Sequence, residues 1–244
     1  MNATIRIAMW SGPRNISTAM MRSFENRSDC VVVDEPFYAA FLAKTGLDHP
    51  MREEVLASQP QDGAAVARDL VTREAPPARI FYQKHMTQHM IPSLPRDWLD
   101  GVRSAFLIRD PASVLASYAK KHDGASLDAI GLATQVELFA READRLGHAP
   151  PVVEGRDVLA EPKAMLTKLC AALGIAFDPA MLAWPPGPRD SDGVWAPAWY
   201  DAVHRSTGFG PPPEPVDPAR LPDALRRIAD EARPLYERLR AHRL

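Results

Sequence analysis

Cysteine is scarce in this chain: two occur in 244 residues. Cys30 and Cys170 lie in apolar segments, and no pair has the spacing of a zinc site, so neither a disulfide framework nor a cysteine metal centre is expected. That usage fits an intracellular protein. Charge of one sign is also lacking, since 29 Lys and Arg stand against 31 Asp and Glu, a formal net charge of −2. Without a global basic surface, nucleic acid is disfavoured as the main partner, and any anion site must be local. No apolar run approaches the roughly 20 residues of a membrane span. The N-terminal MNATIRIAMWSG lacks the apolar core and cleavage site of a signal peptide and reads directly as a strand. The expectation is a soluble, cytoplasmic protein with no membrane partner. Internal repeats are missing, and so is low complexity beyond Pro211 to Pro218. The Walker A pattern Gly-x-x-x-x-Gly-Lys-Ser/Thr is absent as well.

What is present is an alternation of short apolar strands with helical patterns. The length suits a single α/β domain over 1–244. TIRIAMW stops at Gly12-Pro13, and an amphipathic helix follows in which Met20, Met21 and Phe24 face the core while Arg22, Glu25 and Arg27 stay wet. Ser17 or Thr18 is the expected helix cap. Cys30 to Val33 is a second buried strand running into Asp34-Glu35-Pro36-Phe37. Residues 39–78 read as a polar helical insertion able to cover a substrate, and RIFYQK, 79–84, as a third strand before a pair of histidines, His85 and His89. SAFLIRD, 104–110, is a fourth strand. Asp110 as N-cap and Pro111 as first helical residue then start PASVLASYAKK, with Ser113 and Ser117 one turn apart. One long helix is expected over Leu127 to Leu146, a fifth strand over Pro151 to Glu154, and a helix over Pro162 to Leu173 ending at Gly174. Residues 184–218, rich in Pro, Gly and Trp, read as an ordered flap, and Arg220 to Arg243 as a closing amphipathic helix.

The β-α-β-α order implies a central parallel sheet flanked by helices, a three-layer P-loop-like fold. In such a sheet ligands bind where strands end and loops begin. The first strand ends in Gly12-Pro13-Arg14-Asn15-Ile16-Ser17-Thr18, a loop at a helix N-terminus. Unpaired N–H groups and the positive end of the helix dipole suit a phosphate or sulfate there. Arg109 and Ser117 make a second anion pocket at the end of the fourth strand, so the pattern suggests a ligand with two separated anionic groups. Each residue also has an ordinary reading. Gly-Pro after a strand is often only a turn, Arg-Asp-Pro only a well-capped helix, Glu35 a solvated strand end, and a histidine such as His85 or His89 a core or surface residue.

The motifs in order resemble the sulfotransferases that use 3′-phosphoadenosine-5′-phosphosulfate (PAPS). GPRNIST, 12–18, is similar to their 5′-phosphosulfate loop, with Asn15 and Ile16 where the family has Ser and Gly. The resemblance implies that Arg14, Ser17 and Thr18 hold the sulfuryl and 5′-phosphate oxygens. LIRDPASVLASY, 107–118, is similar to the 3′-phosphate segment, which implies that Arg109 and Ser117 hold that phosphate. Residues 152–175 resemble a later family segment, and Arg205-Ser206-Thr207-Gly208 is loosely similar to a basic loop on the 3′-phosphate. DEPFY, 34–38, resembles the segment whose glutamate is the general base in carbohydrate and bacterial-type members, so Glu35 is the first candidate base. Lys84-His85-Met86 is partly similar to the histidine segment of cytosolic members, so His85 is the second. The implied reaction moves a sulfuryl group from PAPS to a hydroxyl of a small molecule or carbohydrate and needs no metal. Two rivals stay open: a P-loop kinase or nucleotide phosphotransferase with a drifted loop, and a nucleotide-binding protein without catalysis.

Overall fold

Alternation along each strand decides which face of the sheet a side chain joins. The computed structural model describes residues 4–120 and 124–244. Met1, Asn2 and Ala3, read with the first strand, and Lys121, read with the helix after Pro111, lie outside them. The strands are β1 (Ile5–Ser11), β2 (Cys30–Asp34), β3 (Ile80–Met86), β4 (Arg103–Ile108) and β5 (Val152–Glu154). They form one sheet in the order β2-β3-β1-β4-β5, and every pair is parallel. The expected α/β architecture is therefore present.

The helices are α1 (Ser17–Glu25), α2 (Tyr38–Thr45), α3 (Arg52–Ser58), α4 (Gly63–Thr72), α5 (Pro111–Tyr118), α6 (Leu127–Ile130), α7 (Leu132–Leu146), α8 (Gly155–Ala160), α9 (Pro162–Ala172), α10 (Ala196–Trp199), α11 (Asp201–His204) and α12 (Asp223–Arg240). Ile7, Met9, Tyr82 and Leu107 turn to one face and pack with Met20 and Phe24 of α1 and Leu166 and Leu169 of α9. Trp10, Phe81, Phe106 and Ile108 turn to the other and pack with α4, α5, α7 and α12. Period-two alternation in a buried parallel sheet thus feeds two cores, which makes three layers. Among the described residues no helix is long and apolar enough to cross a membrane.

Several local expectations change. Arg22 and Arg27 are buried, not wet: Arg22 reaches Asp192 at 2.5 and 2.7 Å and Glu25 at 3.2 Å, and Arg27 pairs with Asp29 and donates to the Ala176 carbonyl. Helical periodicity hid this because Asp192 and Ala176, which cover the two guanidinium groups, come from segments distant in sequence. β2 is an edge strand with Val31 exposed, although its composition reads as buried. The expected long helix breaks at Gly131, whose φ is +66°. A Cβ there would lie 2.7 Å from the Gln88 amide nitrogen, so the break admits the Thr87–His89 turn against the helix. The closing helix is shorter than read, Asp223–Arg240. The 39–78 insertion is less polar than expected. Tyr38, Phe41, Leu42 and Val55 form a third buried cluster with Trp195 and Tyr200 of the 184–218 strap.

Candidate active site

The carboxyl ends of β1, β2, β3 and β4 open into a cavity of about 340 Å³, within the size range of small-ligand pockets. One side is the loop from β1 to α1. Pro13 to Thr18 line it, and the backbone turns left-handed twice, at Arg14 (φ +59°) and Ile16 (φ +48°, ψ +16°). That conformation costs a non-glycine residue roughly 1–2 kcal/mol. Three contacts hold it: Asn15 Nδ2 donates to the Leu107 carbonyl at 2.7 Å, Arg109 donates to the Arg14 carbonyl at 2.6 Å, and the Ile16 side chain packs on the α1 core. The loop thus makes without glycine the turn that its sequence would assign to one. The helix cap is Ile16, not Ser17 or Thr18, and it has no side-chain capping bond. The first-turn N–H groups of α1 are left to face the cavity with their partial positive charge.

Arg14 Nε donates to Ser117 Oγ at 3.0 Å, so the two anion pockets read separately in the sequence are continuous. Burial lowers the pKa of Arg109, and the like charge of Arg14 lowers it further; burial lowers that of Arg14, with Asp201 opposing. Two desolvated guanidinium groups on one wall are stabilised by an anion.

The same cavity holds an ionic cluster that strand register assembles. Asp34 and Lys84 are partners across β2 and β3, and Glu35 N donates to the Lys84 carbonyl at 2.9 Å. Lys84 Nζ therefore reaches both Asp34 Oδ1, at 2.7 Å, and Glu35 Oε1, at 2.5 Å. Tyr200 of the strap completes it: its hydroxyl donates to Asp34 Oδ2 at 2.6 Å and accepts from Lys84 at 2.9 Å and Trp195 Nε1 at 3.0 Å. One ammonium serves two buried carboxylates. Burial pushes the Glu35 carboxyl up to about 7; Lys84 opposes this and Asp34 reinforces it. Burial works against the Lys84 charge, but Asp34 and Glu35 outweigh it and keep the ammonium protonated. Glu35 itself is left-handed, φ +41°, a third strained residue at the same cavity.

Of the residues singled out in the sequence, Pro13, Arg14, Asn15, Ile16, Ser17, Thr18, Glu35, Arg109 and Ser117 all line this cavity. His85 does not. It leaves β3 on the face opposite Lys84 and Met86, stacks on Trp10 at 4.4 Å, and contacts Gln83 Oε1 at 3.2 Å. Burial, and then Lys84, drives its pKa down to about 3. Gly12 lies behind the loop, where a Cβ would collide with the Ile130 carbonyl, and Arg205 is exposed while its neighbours Ser206 and Gly208 line the wall. Ser113 is buried away from the cavity. The sequence reading gave no site role to Lys84, Tyr38, His89 or Tyr200. Lys84 carried a signal, a lysine near the end of an apolar strand, but its two carboxylates sit 49 and 50 residues away in sequence.

A model of the sulfotransferase domain matches residues 5–243. The chain belongs to the sulfotransferase domain family. Its fold is that of the sulfotransferase domain from the Synechococcus PCC 7002 olefin synthase, with a TM-score of 0.55, 17% identity and 94% of each chain covered. The sulfotransferase domain of the curacin biosynthetic pathway gives 0.54 and 16%, covering 95% of this chain and 98% of that one. The sulfotransferase from Alicyclobacillus acidocaldarius gives 0.54 and 13%, covering 100% and 98%. Two curated relatives from Arabidopsis thaliana are named branched-chain-amino-acid aminotransferase-like proteins 1 and 2. They are 37% and 36% identical to this sulfotransferase-family chain over 97% of its length. The chain spans 42% and 41% of those two proteins.

Proposed function

We propose that this chain is a PAPS-dependent sulfotransferase acting on a hydroxyl, with Glu35 as its general base. One observation carries the reading: the buried Glu35 carboxyl and the partly desolvated guanidinium groups of Arg14 and Arg109 line one cavity. The residues fit the donor. Arg14, Ser17, Thr18 and the uncapped N–H groups of α1 would hold the 5′-phosphosulfate, and Arg109 with Ser117 the 3′-phosphate. When bound, PAPS supplies an activated sulfuryl group beside its 5′-phosphate. Arg14 and the helix N-terminus stabilise anionic oxygens there in a water-poor pocket. Glu35 takes the proton at the acceptor hydroxyl, and Lys84 fixes the direction in which its carboxylate points. Trp195, Tyr200 and Tyr38 close the wall on that side and exclude water.

Calorimetric titration with 3′,5′-adenosine bisphosphate, ADP and ATP tests this reading. The bisphosphate is expected to bind best, and Arg109→Ala to weaken it roughly 10 to 100-fold more than it weakens ADP, which also loses affinity because Arg109 holds the Arg14 carbonyl of the loop. Preference for ATP, or an equal loss for both nucleotides in the variant, would reject the donor assignment in favour of a nucleotide phosphotransferase.

A further inference from the structure

The cavity is polarised, and the polarity bears on the acceptor; this inference rests on the reading of Arg14 and Arg109 as the donor end. Among the described residues, the permanent cations lining the cavity are Arg14, Arg109 and Lys84. The first two adjoin each other and Ser117. The third is spent: its ammonium is hydrogen-bonded to Asp34, Glu35 and Tyr200, and two carboxylates against one ammonium leave a formal charge of −1. The surface around that cluster is aromatic. Tyr38 and Trp195 meet edge to face at 5.1 Å, Trp199 packs on the same group, and Tyr118 borders the same cavity.

His89 adds a neutral ring to the same wall. It is 3% exposed, stacked between Tyr38 at 4.4 Å and Phe41 at 4.9 Å, and its Nδ1 has no hydrogen-bond partner. That atom lies 3.9 Å from Glu35 Oε2. Burial, with nearby His49, Lys84 and His85, keeps the ring neutral. The acceptor end therefore offers a carboxylate, a neutral imidazole ring and aromatic rings whose faces carry negative potential. Among the described residues it offers no unpaired cation to an acidic group.

We propose that the acceptor is an amine-bearing alcohol or phenol, its hydroxyl meeting Glu35 and its ammonium held among the aromatic rings, in the field of the excess carboxylate charge of the Asp34–Glu35–Lys84 cluster. An anionic acceptor, such as an acidic sugar or a hydroxy acid, pays a repulsion there that nothing in the described wall offsets. A hydrocarbon alcohol gains the aromatic contact without the charge.

Three phenols of nearly equal size separate these cases: tyramine, 4-ethylphenol and 4-hydroxyphenylacetate. Binding of each is measured by calorimetry at pH 8, on the free protein and on protein saturated with 3′,5′-adenosine bisphosphate. Tyramine is expected to bind best, the neutral phenol roughly tenfold and the carboxylate roughly a hundredfold more weakly, as for one charge contact in a partly screened site. The proposal is overturned if the carboxylate or the neutral phenol matches tyramine, or if tyramine shows no binding up to millimolar concentration. Failure of the bisphosphate to bind would instead reject the donor assignment. In that case Arg14 and Arg109 are free to take the carboxylate, and the acceptor proposal, which counts them as occupied by the donor, falls with the assignment.

Discussion

The Glu35 carboxyl gives a quantitative test of the site that needs no substrate. Its pKa is raised from 4.5 to about 7, first by burial, with Lys84 opposing and Asp34 reinforcing. A carboxyl raised on folding binds more protons in the native than in the unfolded protein between those two values. Stability therefore falls as pH rises through the window from about 4.5 to about 7, and the cost is fully present above it. At about 1.4 kcal/mol for each pKa step, the cost approaches about 3 kcal/mol, an upper figure because water entering the cavity would screen the charge. Glu35→Gln removes the titration while keeping the shape. Urea denaturation of both proteins at intervals from pH 4.5 to 8 is the assay. The variant is expected to gain on the wild type by about 2–3 kcal/mol across the window. Glu154, also buried and raised to about 7, titrates in both proteins and cancels from the difference. Parallel curves would refute the burial argument, and with it the reason for choosing Glu35 as a base active near neutral pH. The same titration predicts that kcat/KM climbs through about pH 7 as the carboxyl ionises, and that Glu35→Gln lowers it by roughly 10² to 10⁴-fold.

Lys84→Met leaves two buried carboxylates without their cation and is expected to cost about 3–5 kcal/mol at pH 8, with a smaller loss at pH 5; urea midpoints at the two pH values check it, and a loss under about 1 kcal/mol would show that water compensates the pair. His85→Phe keeps a ring on Trp10 and leaves Gln83 Oε1 without its imidazole partner, so it is expected to cost about 1–2 kcal/mol of stability and to change kcat less than about threefold. A drop of a hundredfold or more in steady-state turnover would return His85 to the role of base.

Much of the molecule was legible in advance because its signals are local. Strand and helix identities follow from apolar periodicity, the start of α5 from Asp110 and Pro111, and the end of α9 from Gly174. The Asp110 side chain indeed accepts from the Ser113 amide at 3.0 Å. A parallel sheet places the loops after β1, β2, β3 and β4 on one edge, which is why Arg14, Glu35, Arg109 and Ser117 line one cavity. The Ile16 position shows where local rules stop. The resembled family loop has glycine there, and the fold instead imposes the left-handed turn on isoleucine through Asn15, bonded to Leu107 of β4, and Arg109 just beyond β4, bonded to the Arg14 carbonyl.

What the sequence determined by itself, then, is the element order, the three-layer arrangement and the residues available at the carboxyl edge, since these depend on spacing and chain direction. The tertiary structure set the two candidate bases apart in position by a parity that one residue reverses: on β3, Lys84 and Met86 face the cavity and His85 faces the core. It also brought Asp34, Glu35, Lys84 and Tyr200 into contact across up to 166 residues of chain. The charge state of Glu35 is a property of that assembly, because burial and the ratio of carboxylates to ammonium exist only once β2, β3 and the strap have packed together.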